Sequence, residues 1–189
     1  PGGPCRLRAG RGAVGAAVPR TAAVPVLTYH AMKVSGTGHA DNDHVAFAED
    51  LERIHALGLR IVPAGEVARA CVEGRLDGLR GAVALTMDDG PDFDALDLPH
   101  PAWGVQRGML GILQDFRARH GPLAQPDLHA TSFVIVSPAA RAELDRHEMI
   151  GCGWWNDTWW READATGLMA IENHSWDHNQ ASLERTAAR

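Results

Sequence analysis

The chain has 189 residues, 45% of them apolar and 22% charged, with a formal net charge of −6. That is enough apolar material for one proper core, which argues against a disordered chain or a disulfide mini-protein. The balance of 24 acidic to 18 basic residues argues against a general nucleic-acid binder, which needs a basic face. No apolar run approaches the ~20 residues required to cross a bilayer.

Residues 1–23 are rich in Gly, Ala and Arg without periodicity and read as a flexible leader; residues 24–189 read as one domain. The leader has no long apolar centre, so any export signal is expected upstream of Pro1. A strand is expected over Val24–Tyr29, closed by His30. A helix over Val45–Leu57 follows, with Phe47, Leu51, Ile54 and Leu57 on one face and Gly58 as its stop. Next come a strand at Leu59–Val62, a small helix at Glu66–Val72 and a compact strand at Ala82–Met87, which runs into Asp88-Asp89-Gly90-Pro91. The long segment after Pro91 is expected to carry a helix over Val105–Arg119, burying Met109, Leu110, Leu113 and Phe116. Leu96–Trp103 is expected as a lid or subsite loop. Ala130–Val136 reads as a strand, with Pro138 opening a helix behind it. Trp154–Ala165 is expected to be helical in its second half, stopped by Gly167. Leu168–Glu172 is the fifth expected strand and leads into Asn173-His174-Ser175-Trp176-Asp177-His178. A further helix begins within Ala181–Arg189.

Five strands alternating with helices imply an α/β fold with a parallel sheet or barrel. Right-handed crossovers put the carboxyl ends of the strands together, where α/β folds build their sites. His30, Asp88, Asp89 and His174 all fall at such ends.

Asp88-Asp89 is the first feature with chemical content. Adjacent carboxylates repel when both are ionised, and a cation relieves the repulsion, leaving one carboxylate free as a base. Taken alone, the same residues fit an ordinary solvated turn equally well. His174 and His178 form an H-x-x-x-H. On a helical turn both imidazoles would face one cation, and two imidazoles plus one carboxylate leave a coordination position open for water. Taken alone, an exposed or hydrogen-bonded pair is the better reading, because short His spacings arise by chance in a His-rich chain. At the same end of one sheet, the four residues together favour a metal site.

His30 either lines the same mouth or is structural. The other histidines, His44 and His129 among them, carry no spacing signal and take surface or capping roles by default. Five of the six tryptophans crowd into Trp154, Trp155, Trp159, Trp160 and Trp176. The first four are expected as packing, and Trp176, between the two histidines, as the indole placed to stack on a sugar ring. Cys5, Cys71 and Cys152 are odd in number and form no C-x-x-C, which speaks against zinc ribbons and disulfide frameworks. G-x-S-x-G, phosphate-loop and G-x-G-x-x-G signatures are missing from the sequence.

Four segments in order, Val26-Leu27-Thr28-Tyr29-His30, Leu85-Thr86-Met87-Asp88-Asp89-Gly90, Ala130-Thr131-Ser132-Phe133-Val134 and Asn173-His174-Ser175-Trp176-Asp177-His178, resemble the polysaccharide deacetylases. These are the NodB-like enzymes, family four of the carbohydrate esterases. The resemblance implies a distorted (β/α) barrel and metal-dependent hydrolysis of N-acetyl groups on an amino-sugar polysaccharide or oligosaccharide. It implies Zn2+ or another divalent metal held by one Asp and two His. Asp88 falls on the family's catalytic base, Asp89 on its metal-ligating carboxylate, and His174 and His178 on its two metal-ligating imidazoles. The family works at the cell envelope or outside it.

The family's later motifs, an Arg-containing loop, an Asp-Trp pair and a late acid His, find no counterpart in the eleven residues after His178. The domain is therefore expected to be truncated, its barrel incomplete at the C-terminus and its general acid beyond residue 189. Two other readings stay open: a related barrel hydrolase acting on a small non-peptide amide, and a non-catalytic fragment.

Overall fold

Ala82–Met87 is buried at all six positions and forms β3, the centre of a five-stranded sheet in which every pairing is parallel. An unbroken apolar strand of this kind is stable only with both faces covered. The protein is described here by a computed structural model covering residues 23–149 and 151–179. Residues 1–22 of the expected leader, and the helix expected within Ala181–Arg189, lie outside the described residues.

β1 (Val26–Tyr29) pairs with β3 from Val26↔Ala84 to Tyr29↔Met87. The two-residue β2 (Arg60–Ile61) joins only the start of β3, at Ala82 and Val83. β6 (Ala130–Val134) pairs with Thr86 and Met87, and β7 (Met169–Asn173) pairs along the whole of β6. Among the described residues the sheet is open, with β1 and β7 at its edges, so closure into the expected barrel is not seen there. The carboxyl ends of β1, β3, β6 and β7 all point the same way. That direction brings His30, Asp88-Asp89 and His174 to one end of the sheet.

Helix α1 (Asp43–Ala56) begins earlier than the apolar pattern suggests because Asn42 caps it: the Asn42 side chain accepts from the N–H groups of His44 (2.9 Å) and Val45 (3.4 Å). Phe47, Leu51 and Ile54 are buried as expected. Leu57 is not: the helix ends at Ala56, the chain turns through Gly58 at φ 67°, and Leu57 is left 68% exposed. His44 departs from the surface role expected of it. It is buried, with one ring nitrogen 2.8 Å from the Ala31 carbonyl and the other 2.7 Å from that of Arg107.

Helix α2 (Ala64–Val72) leads back to β3. Helix α3 (Met109–His120) packs against α1 and buries Met109, Leu110, Leu113 and Phe116. It starts four residues later than expected because Gly104–Gln106 forms β5, antiparallel to β4 (Leu98–His100). Pairing with β4 keeps β5 extended, and Gly108 then turns the chain into α3. The Gly108 N–H donates to the Asp97 carboxylate at 2.9 Å, and a Cβ there would stand 2.7 Å from the Ala95 carbonyl. Thus the segment expected as a loop over Leu96–Trp103 contains one arm of a hairpin. That hairpin is fastened to α1 by the Asn42 amide, which donates to Gln106 Oε1 at 2.7 Å.

Helix α4 (Pro138–Glu148) carries Pro at its first position and Ser137 as its cap. Helix α5 (Trp160–Ala165) is short and leaves through Gly167 at φ 68°. Trp155 and Trp159 are buried, and Trp154 and Trp160 pack against the same core, which makes this tryptophan cluster structural material. No described helix is long and apolar enough to cross a membrane.

Candidate metal centre

β3 delivers Asp88 and Asp89 directly at its carboxyl end, where the Asp88 N–H still donates to the Tyr29 carbonyl at 3.0 Å, completing the ladder with β1. The chain then leaves the sheet through two left-handed residues, Asp89 at φ 74° and Gly90 at φ 69°. The carbonyl of Asp89 accepts from the indole N–H of Trp155 at 2.9 Å and from the backbone N–H of Ile135 at 3.4 Å.

β7 delivers His174, whose N–H donates to the Val134 carbonyl at 2.9 Å and so extends the pairing with β6. The next residues are not the helical turn assumed from the H-x-x-x-H spacing. Ser175 takes φ 108° and His178 φ 55°. The Asn173 carboxamide oxygen accepts from Ser175 N–H at 2.7 Å, and the Ser175 hydroxyl oxygen accepts from His178 N–H at 2.9 Å. These local side-chain bonds substitute for helix hydrogen bonds and fold the segment back on itself. The two imidazoles end with ring centroids 5.3 Å apart.

Asp89 Oδ1 lies 3.4 Å from His174 Nε2 and 3.3 Å from His178 Nε2. One ligand atom from each of the three residues falls within 4.8 Å of the other two. Asp89 is buried, the two histidines are half-buried, and Asp89 Oδ1 has no hydrogen-bond partner. A buried carboxylate oxygen without a partner is costly, and a cation among these three atoms would satisfy it. One carboxylate oxygen and two imidazole nitrogens are also the donor types that suit zinc while leaving a position open. The residues present therefore fit a divalent metal ion. Among the described residues, the non-glycine positions with positive φ are Asp89, Ser175 and His178, all in this one cluster. Backbone strain gathered at one place is a mark of a functional site.

The other expected site residues stand around the cluster. Asp88 precedes Asp89 and is half-buried, outside the set of three ligand atoms. His30 leaves β1 at the same end, half-buried, with its backbone N–H donating to the Asp43 carboxylate at 2.7 Å. Trp176 is 65% exposed, and its carbonyl accepts from Ser137 N–H at 2.7 Å.

Two carboxylates beneath the centre are not singled out by sequence spacing. Asp92 and Asp94 occupy a short 3-10 turn and are both buried. The Asp92 carboxylate organises the tryptophan segment by accepting from Asn156 and Trp159. Asp94 accepts from the Ser132 hydroxyl at 2.6 Å, while its other oxygen has no partner. Burial, reinforced by the negative charges of Asp89, Asp88 and Asp92, pushes the Asp94 carboxyl well above the usual carboxylate range; the Ser132 bond opposes that shift. The available signal was four aspartates within Asp88–Asp94 around the apolar Phe93, more acid than a solvated turn needs.

No family model and no curated protein matches the chain. Among solved structures, the fold is similar to that of a Streptococcus pyogenes deacetylase, PplD, in complex with acetate, at a TM-score of 0.51 and 21% identity. The match covers 82% of this chain and 57% of that one, so the chain spans little more than half the length of the protein it matches. At this identity the likeness speaks for a shared fold.

Proposed function

We propose that the chain is a metal-dependent hydrolase that removes N-acetyl groups from an amino-sugar polysaccharide or oligosaccharide. The observation that carries this reading is the buried, unpartnered Asp89 Oδ1 with two imidazole nitrogens at 3.3 and 3.4 Å. The fold similarity to a deacetylase and the polysaccharide-deacetylase motifs agree with it. The same reading takes the parallel sheet as part of a distorted (β/α) barrel.

Asp89, His174 and His178 hold the ion, with Zn2+ the best match to their donor set. When bound, a divalent cation supplies Lewis acidity, polarising an amide carbonyl and making water acidic enough to deprotonate near neutral pH. The Asp88 carboxylate is the base and takes the proton as water attacks the acetamide carbon. Asp88 can serve in this way because its neighbour, not Asp88 itself, belongs to the ligand cluster. Trp176 offers an exposed indole face to a sugar ring beside the two histidines, and His30, at the end of β1, is the further candidate to line the same mouth.

The test is acetate release from N-acetylglucosamine oligomers, together with metal content after dialysis. Asp89→Ala and His174→Ala are expected to lose the metal. Asp88→Asn is expected to keep it while turnover falls by roughly 10²–10⁴-fold, the usual contribution of a general base. Metal loss in the Asp88→Asn protein would overturn the division of roles. A metal-loaded protein that includes the general acid expected beyond residue 189 and still releases no acetate would overturn the activity.

A further inference from the structure

Asp89 sits in a left-handed conformation, which a non-glycine residue keeps only where its surroundings hold it. Its carbonyl is held by two donors, the indole N–H of Trp155, 66 residues along the chain, and the backbone N–H of Ile135. A single side chain on α4 grips the segments that supply both. The Arg141 guanidinium, 4% exposed, donates to the Trp155 carbonyl at 3.2 Å and to the carbonyls of Ile135 and Val136 at 3.0 and 2.8 Å. It also pairs with the Asp157 carboxylate at 2.8 Å. Val136 in turn donates its N–H to the Ser175 carbonyl at 3.2 Å, so the same bracket reaches the histidine loop.

We propose that Trp155 is a positioning residue of the metal centre, its indole N–H fixing the Asp89 peptide so that the carboxylate faces His174 and His178. The proposal rests on reading those three residues as the metal-holding set. Packing alone accounts for a buried indole ring, but not for the use of its one donor on the strained peptide. Trp159 provides the contrast. It is as well buried, at 3% against 5% exposure, and lies in the same segment, yet it donates to Asp92 at 3.1 Å. Each Trp→Phe change removes one buried N–H from the same stretch of chain, and only one of the two bonds is to a residue of the cluster.

The experiment is Co2+ titration of the metal-free chain, followed by its visible absorption, in the parent, Trp155→Phe and Trp159→Phe proteins. Trp155→Phe is expected to weaken Co2+ binding by about tenfold or more and to move the absorption bands, while Trp159→Phe stays within about twofold of the parent with bands unmoved. Parent-like binding and bands in Trp155→Phe overturn the positioning role and leave the metal centre standing. Equal weakening in both variants also overturns it, because that is general loosening of the segment. A parent chain that binds no Co2+ removes the metal reading and this proposal together.

A second measurement needs no variant, which covers the case of a Trp155→Phe chain that does not fold. A bond that positions a ligand must itself be tightened when the ligand engages, because the coupling is reciprocal. Zn2+ is expected to slow hydrogen exchange at the Trp155 indole N–H and to leave that of Trp159 unchanged. Unchanged exchange at Trp155 overturns the proposal.

Discussion

Gly90 lies against Val134 so closely that a Cβ on Gly90 would stand 2.5 Å from Val134 Cγ1 and 2.9 Å from Val134 Cα. Gly90 also takes φ 69°, so close approach and backbone conformation both demand glycine. Val134 is the residue whose carbonyl accepts the His174 N–H. The contact therefore sets how near the exit of β3, with its carboxylates, comes to β6, the strand paired with the one that delivers the first histidine. Gly90→Ala is expected to destabilise the fold by roughly 2–4 kcal/mol, combining left-handed strain with overpacking against backbone. Chemical denaturation checks this, and a loss below about 1 kcal/mol would mean that β6 moves aside at little cost.

Asp92 fastens the tryptophan segment to the turn behind Asp89. Its buried carboxylate accepts from the backbone N–H of Asn156 (2.7 Å), the Asn156 amide (2.7 Å) and the Trp159 indole (3.1 Å). Asp92→Ala leaves the buried Trp159 indole N–H without its acceptor and releases the exposed Asn156, and is expected to cost about 1–3 kcal/mol. Asp92→Asn keeps one acceptor oxygen and is expected to cost clearly less. Thermal unfolding of the two variants side by side is the check, and equal losses would show that the hydrogen bonds are not what holds the segment.

What the sequence made legible follows from the range of the forces involved. β3 was readable to the residue because six consecutive buried positions carry their own signal, and the end of α1 was readable from Gly58. The start of α1 lay in Asn42, a polar cap that an apolar pattern passes over. The start of α3 was displaced by the pairing of β4 with β5, a tertiary contact overriding a helical pattern. In the candidate site, the cluster of Asp89, His174 and His178 lies on residues that sequence motifs had already singled out. The helical geometry assumed for the two histidines did not hold, because Asn173 and Ser175 bond the local backbone and bend it away from a helix. Trp155, Asp92 and Asp94 act through partners far away in the chain, and single-sequence spacing contains no term for that.

The Asp94 carboxyl gives the fold a pH dependence whose direction is fixed by its surroundings. It is fully buried, bonded to Ser132 through one oxygen and unpartnered through the other. Burial first, then the charges of Asp89, Asp88 and Asp92, hold its folded pKa well above the unfolded value of about 3.9. Between those two values the folded chain binds more proton than the unfolded one. The stability this group contributes is therefore complete below about pH 4 and is lost as pH rises through the folded pKa. Asp94→Asn is neutral at every pH and keeps an acceptor for Ser132. In chelator-treated protein, where no cation offsets the charge, the variant is expected to match the parent near pH 4. It should then gain on the parent steadily toward pH 8. Urea denaturation across that range measures the gap directly. A gap that stays flat, or that turns against the asparagine as pH rises, would show that Asp94 is already ionised in the folded chain, with some group other than Ser132 stabilising its charge.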